Sequence, residues 1–143
     1  MTPGGQRLPR IARILRPADF ARVYERRCSA AAGPLVLYAA PREDASPESR
    51  IGLSVSRRIG KAVLRNRWKR RLREAFRAVR LRLPSGTDYV VVVRSGDPGA
   101  GAGAARAAEA SLESLAARVT GRQGYPAAPV RREAAPPRRR QGR

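Results

Sequence analysis

The 143-residue chain predicts a mixed α/β fold, a small sheet with helices packed on it, and three stretches carry that prediction. Ile51, Leu53 and Val55 alternate with Gly52, Ser54 and Ser56, the period of a half-buried strand. Directly after it, Leu64, Trp68, Leu72, Ala75, Phe76, Val79 and Leu83 fall within one stripe at helical spacing, so a helix packs one side on the sheet. Asp88 to Arg94, DYVVVVR, is a near-continuous valine run, as in a strand buried on both faces.

The remaining elements follow in chain order. Residues 1–9 hold Pro and Gly with little to bury, and are expected to be a flexible N-terminus ahead of one domain over 10–120. Pro17 to Arg27 is expected as a helix: Pro17 suits the first turn, Asp19 the positive helix N-terminus, and Arg26-Arg27 the negative end. Phe20, Val23 and Tyr24 form its short apolar stripe. Ser29 to Gly33 is expected as a small-residue loop, and Leu35 to Ala39 as a strand between Pro34 and Pro41. The ten-residue loop PREDASPESR then leads to the strand Ile51 to Ser56, a succession that suggests an antiparallel pair. The basic helix starts at Ala62 or Leu64 and stops at Pro84-Ser85-Gly86. Ser95 to Gly103 reads as a Gly-rich linker, and Ala104 to Val119 as a packed terminal helix. Residues 121–143 hold four Pro and seven Arg without apolar period, which predicts a disordered Arg/Pro-rich tail.

Charge narrows the function. The net charge is +20, and Arg57 to Arg80 holds eleven Lys or Arg against one acid, Glu74, which is half of it. The partner is therefore polyanionic, nucleic acid before membrane surface. No apolar run approaches the ~20 residues of a membrane span. Cys28 is the only cysteine, which excludes an intrachain disulfide and a CxxC metal site and fits a reducing cytoplasm. There is no histidine, so a Ser-His or Cys-His nucleophile, a His base and a His-held zinc are excluded. Of eleven carboxylates only Glu43, Asp44 and Glu48 cluster, in a Pro- and Ser-containing loop that reads as solvated. If RNA is cut, this chain is not expected to supply the cutting groups or a cofactor.

A solvated helix mixes charge signs, because opposite pairs four residues apart stabilise it. Glu74 stands almost alone, so a bound polyanion is the better account of the helix. Asn66, Arg70, Arg73 and Arg77 lie opposite the packing stripe, with Arg67 and Arg71 on one shoulder and Arg65 and Lys69 on the other. A helix packed on a sheet is no free major-groove reader, and no heptads supply a dimerising zipper. Arginine on the outer face of a packed helix suits folded RNA.

The stretch RIGLSVSRRIGKAVLRNRWKRRLREAFR resembles the signature of the bacterial ribonuclease P protein component. It holds the G-L-S-V-S strand (Gly52 to Ser56), two basic residues (Arg57-Arg58), an I-G turn (Ile59-Gly60) and R-N-R (Arg65-Asn66-Arg67). Asp19-Phe20, Val23-Tyr24 and LVLY extend the resemblance upstream and DYVVVVR downstream, over roughly Leu8 to Val119. It implies a compact two-layer α/β sandwich, like the second domain of ribosomal protein S5, with a left-handed βαβ crossover against the usual rule. It also implies a subunit that assists a catalytic RNA in removing the 5′ leader of precursor tRNA. Arg57, Arg58, Lys61, Arg65, Asn66, Arg67, Lys69, Arg70 and Arg73 would face that RNA. Phe20, Tyr24 and Tyr38 would line a cleft and stack on the leader, a role that stands beside plain core packing for these three. Trp68 occupies a position usually aliphatic in the family, and the spacer Gly96 to Gly103 has no family counterpart. Mg2+ is expected through RNA phosphates rather than protein ligands, with no dedicated protein partner. The alternative is a structural ribosomal or nucleoid-associated protein with a basic helix and tail.

Overall fold

The computed structural model describes residues 8–122 and 125. A four-stranded sheet is built from β1 (Ser29–Ala32), β2 (Leu35–Pro41), β3 (Arg50–Val55) and β4 (Thr87–Val93), in the order β1-β2-β4-β3. Three helices complete it: α1 (Pro17–Glu25), α2 (Ala62–Val79) and α3 (Gly101–Thr120). Short 3-10 turns form at Arg10–Ala12, Arg57–Ile59 and Arg80–Arg82.

Strand alternation sorts side chains onto two faces. Leu35, Leu37, Ala39, Ile51, Tyr89, Val91 and Val93 are buried with Trp68, Leu72, Phe76 and Val79 of α2 and Leu112, Leu115 and Val119 of α3. Each fully buried large side chain in that layer contributes about 1.5–3 kcal/mol. The opposite face holds a smaller cluster, Val23 of α1 with Ile14, Ala40 and Val90. The main core is thus the sheet against α2 and α3, and the short α1 rests on the other side.

Two expectations are corrected by the sheet. Ser29 to Ala32 is strand β1, not a loop, paired antiparallel with β2 from Ser29↔Tyr38 to Ala32↔Leu35. Gly33 and Pro34 form the two-residue turn, with Gly33 at φ 55°, where a hairpin favours glycine. A run of alanines carries no alternation and has low strand preference, so only pairing reveals it. The strands Leu35–Pro41 and Arg50–Val55 are not an antiparallel pair either. β4 lies between them, antiparallel to β2 and parallel to β3. β4 lies inside the sheet beside β2, with Tyr89, Val91 and Val93 toward α2 and α3 and Val90 on the other face, and α2 is the crossover from β3 to β4.

The ends differ more modestly. Gly101 to Gly103, expected in the linker, already belong to α3. Arg26 caps α1 and Arg27 takes a left-handed φ of 58°, so the helix stops just short of the expected end. Leu8, expected in the flexible terminus, is buried in the main core. Gly121, Arg122 and Tyr125 of the expected tail are described, and Tyr125 packs against that core. The rest of the expected terminus and tail lies outside the described residues.

Candidate nucleic-acid interface

The basic face is assembled where β3 ends. Ser56 accepts a hydrogen bond from the Arg58 N–H (3.2 Å), and the 3-10 turn it caps displays Arg57 and Arg58 to solvent. Gly60 then turns the chain into α2 at a φ of 152°, a conformation that residues with a Cβ rarely adopt. Lys61 caps α2 and is exposed, as are Asn66 and Arg70 further along. Arg65 is half-buried and donates to the Gly60 carbonyl (3.2 Å), fixing its guanidinium beside the turn. Lys69 is half-buried too. Arg73 is partly desolvated, and burial followed by the nearby charge of Arg13 lowers its pKa from the ordinary arginine value.

Arg67 has a partner that its place in R-N-R does not announce. It pairs with Asp97 at 3.3 Å, and Arg71 donates to the Gly99 carbonyl at 3.3 Å. Between them, buried Trp68 donates from Nε1 to the Gly96 carbonyl (2.9 Å). The expected spacer is therefore docked on one shoulder of α2, and Trp68 is a core residue with a polar anchor.

On the opposite face of the sheet, Phe20, Tyr24 and Tyr38 are brought together, each partly buried around Ile14, Val23, Ala40 and Val90. A Cβ on Gly52 would stand 2.7 Å from Phe20 Cζ, so only glycine leaves room for the ring over β3. Tyr24 and Tyr38 meet edge to face with centroids 5.0 Å apart. Burial raises the Tyr24 pKa, opposed by a hydrogen bond with Ser54, so its phenol is neutral. Beyond these rings Val36, Val92 and Ser54 are only partly covered. The aromatics are thus packing residues of this cluster that stay partly exposed.

A charge network that sequence reasoning did not find holds α1 in place. Asp88 is fully buried and accepts from Arg50 Nε and Nη2 (2.8 and 2.7 Å) and from Arg22 Nη2. Arg22 also donates to the Pro41 carbonyl (2.9 Å), so one carboxylate ties α1 to β2, β3 and β4. The available signal was an Asp opening an otherwise apolar strand, which needs a buried counter-charge.

The family model described as Ribonuclease P matches residues 8–119. The chain belongs to the ribonuclease P protein family. It is similar to the ribonuclease P protein component of Geobacillus kaustophilus, 43% identical over 82 residues, 57% of this chain and 67% of that protein. It is 42% identical to that of Gluconacetobacter diazotrophicus over 91 residues, 63% of this chain and 78% of that one. Among solved structures, the RNase P protein of Staphylococcus aureus aligns with a TM-score of 0.61 at 32% identity, covering 76% of this chain and 96% of that one. The Thermotoga maritima RNase P protein aligns at 0.51 with 34% identity, over 56% and 72%. As a ribonuclease P protein, the chain is the protein subunit of RNase P in tRNA processing and works with the RNase P RNA, which displaces the ribosomal or nucleoid alternative.

Within this ribonuclease P protein, no group of three or more His, Cys, Asp or Glu is placed to hold a metal among the described residues. The clustered acids are engaged elsewhere: Asp44 accepts from Arg42 (2.9 and 2.7 Å), and Glu48 lies 3.7 Å from Arg80. No helix among the described residues is long and apolar enough to cross a membrane.

Proposed function

We propose that the outer face of α2 and the turn before it bind the catalytic RNA of ribonuclease P, while the aromatic cleft grips the 5′ leader of precursor tRNA. The observation that carries this reading is the separation of the two surfaces by one sheet. Basic residues gather on the α2 side and the half-covered aromatics on the α1 side. Arg57, Arg58, Lys61, Arg65, Asn66, Lys69, Arg70 and Arg73 act on phosphates by charge and by guanidinium geometry. Arg67 joins them by exchanging Asp97 for a phosphate, since a surface ion pair contributes at most about 1 kcal/mol. Asn66, neutral and exposed within this face, supplies a specific hydrogen bond. Phe20, Tyr24 and Tyr38 stack on unpaired bases, an interaction that tolerates many leader sequences.

In this reading the chain supplies no attacking group. It lowers the electrostatic repulsion between catalytic RNA and substrate and holds the leader, and phosphodiester hydrolysis belongs to the RNA. Magnesium is held by RNA phosphates, in keeping with its use of few protein ligands. The test is leader cleavage by the matching RNA at low magnesium, with and without the protein. Stimulation is expected, and its absence would remove the reading. The Arg65→Ala/Arg67→Ala double variant is expected to weaken binding to that RNA at moderate salt. Unchanged affinity would return the helix to a merely solvated role.

A further inference from the structure

A pocket of about 480 Å³ opens beside α1 and the segment that runs along the outer edge of β3, and none of the residues assigned to either surface lines it. That segment forms one wall: the Ile14 N–H donates to the Ile51 carbonyl (2.8 Å), and Arg13 bridges to Ile51 in parallel. The other wall is compensated within itself. Asp19 lies 3.6 Å from Arg50, Glu43 lies 3.9 Å from Arg22, and Asp44 is taken by Arg42.

The first wall is not compensated. Arg10 and Arg16 are exposed, and their guanidinium groups have no ion-pair or hydrogen-bond partner among the described residues. Arg13 donates from Nε and Nη2 to the Leu8 carbonyl (3.2 and 3.0 Å), which fixes its guanidinium at the strand edge and leaves Nη1 uncommitted. Its charge also reaches Arg73 on α2, which has no acidic partner among the described residues. Like charges held together without a counter-ion favour an external anion. Three guanidiniums strung along seven residues fit a polyanion better than one small ion.

Position decides which polyanion. Ile14 and Phe20 both lie against Gly52, so the segment begins where the aromatic cluster ends, and it follows the outer edge of β3, the strand that leads into α2. We infer that Arg10, Arg13 and Arg16 form a phosphate-binding strip that leads an RNA strand round the edge of β3 between the two surfaces. The strip rests on the RNA-binding role proposed above and adds a third contact to it. Its phosphates belong either to the catalytic RNA or to the precursor leader.

Binding of the full chain to the RNase P RNA, and of the reconstituted holoenzyme to precursors with long and short leaders, separates these sources. The test variant is Arg10→Ala/Arg16→Ala, whose side chains make no contact that folding requires. Arg106→Ala on α3, set against Arg10→Ala and Arg16→Ala singly as well as the pair, serves as the control for simple loss of charge. Each lost phosphate contact is expected to lower the salt slope by about one. Weaker binding to the RNA subunit assigns the strip to the catalytic RNA. Weaker binding only to long-leader precursors assigns it to the leader. If both measurements follow the Arg106→Ala control while Arg65→Ala/Arg67→Ala loses affinity, the strip is overturned and the α2 reading stands. If neither double variant has an effect, both are overturned.

Discussion

At the scale of single residues, two positions decide how α1 seats on the sheet. Gly52 is required by the Phe20 ring, since an added Cβ would meet Cζ at 2.7 Å and Ile14 Cβ at 3.1 Å. Gly52→Ala is expected to cost roughly 1–3 kcal/mol through overpacking, read by urea denaturation, together with weaker leader binding. Unchanged values of both would mean the ring does not rest on β3. Asp88 is the second position, because its removal takes the short buried pairing from Arg22 and Arg50 and leaves them only the longer contacts to Asp19 and Glu43. Asp88→Asn is expected to destabilise by about 3–5 kcal/mol, measured as a shift in the denaturation midpoint. Tyr24 supplies a pH test. Burial raises its pKa above the ordinary 10.0, so the stability held in the neutral phenol is complete below pH 10 and is lost as pH rises through the raised value. Ultraviolet titration of the folded protein against Tyr24→Phe should show one tyrosinate forming late; its appearance at the ordinary pH would contradict the buried phenol.

At the scale of elements, β1 poses the usual problem of an edge strand, whose outward backbone groups can pair with another chain. Arg118 and Arg122, four residues apart, answer it by donating to the Ala31 and Ser29 carbonyls (3.1 and 2.7 Å). Arg118→Ala/Arg122→Ala is expected to leave the melting temperature nearly unchanged and to raise concentration-dependent association, measured by light scattering. A monodisperse double variant would show that the edge needs no guard. The helices were legible before the structure because their signals are local: the α2 stripe, Pro17 at the start of α1, and Pro84 beyond the last turn. β1 was not, since four small residues have no period, and neither was the place of β4 between two strands that precede it in sequence.

At the scale of the whole molecule, a net charge of +20 and a helix with little internal compensation make RNA affinity a problem of ion release. If ~6–10 phosphates are neutralised, affinity should fall roughly 10³- to 10⁵-fold between ~50 and ~200 mM salt. A filter-binding series with the RNA subunit measures this directly, and a flat response would contradict the electrostatic account.

By itself the amino-acid sequence determined the class of partner, the basic helix and its two faces, and the family, because charge density, helical period and the run from Gly52 to Arg67 are all properties of neighbouring residues. The aromatics were visible as candidates, but not whether they packed or opened. Only the tertiary structure decided that they pack around Val23 and Val90 while staying partly exposed, and that Arg67 is held by Asp97. It also decided that Asp88 lies between Arg22 and Arg50. These charge contacts join residues 30 to 66 positions apart, and no local pattern encodes which distant charge will meet which. They follow from the sheet order, which folds the ends of four strands onto one another.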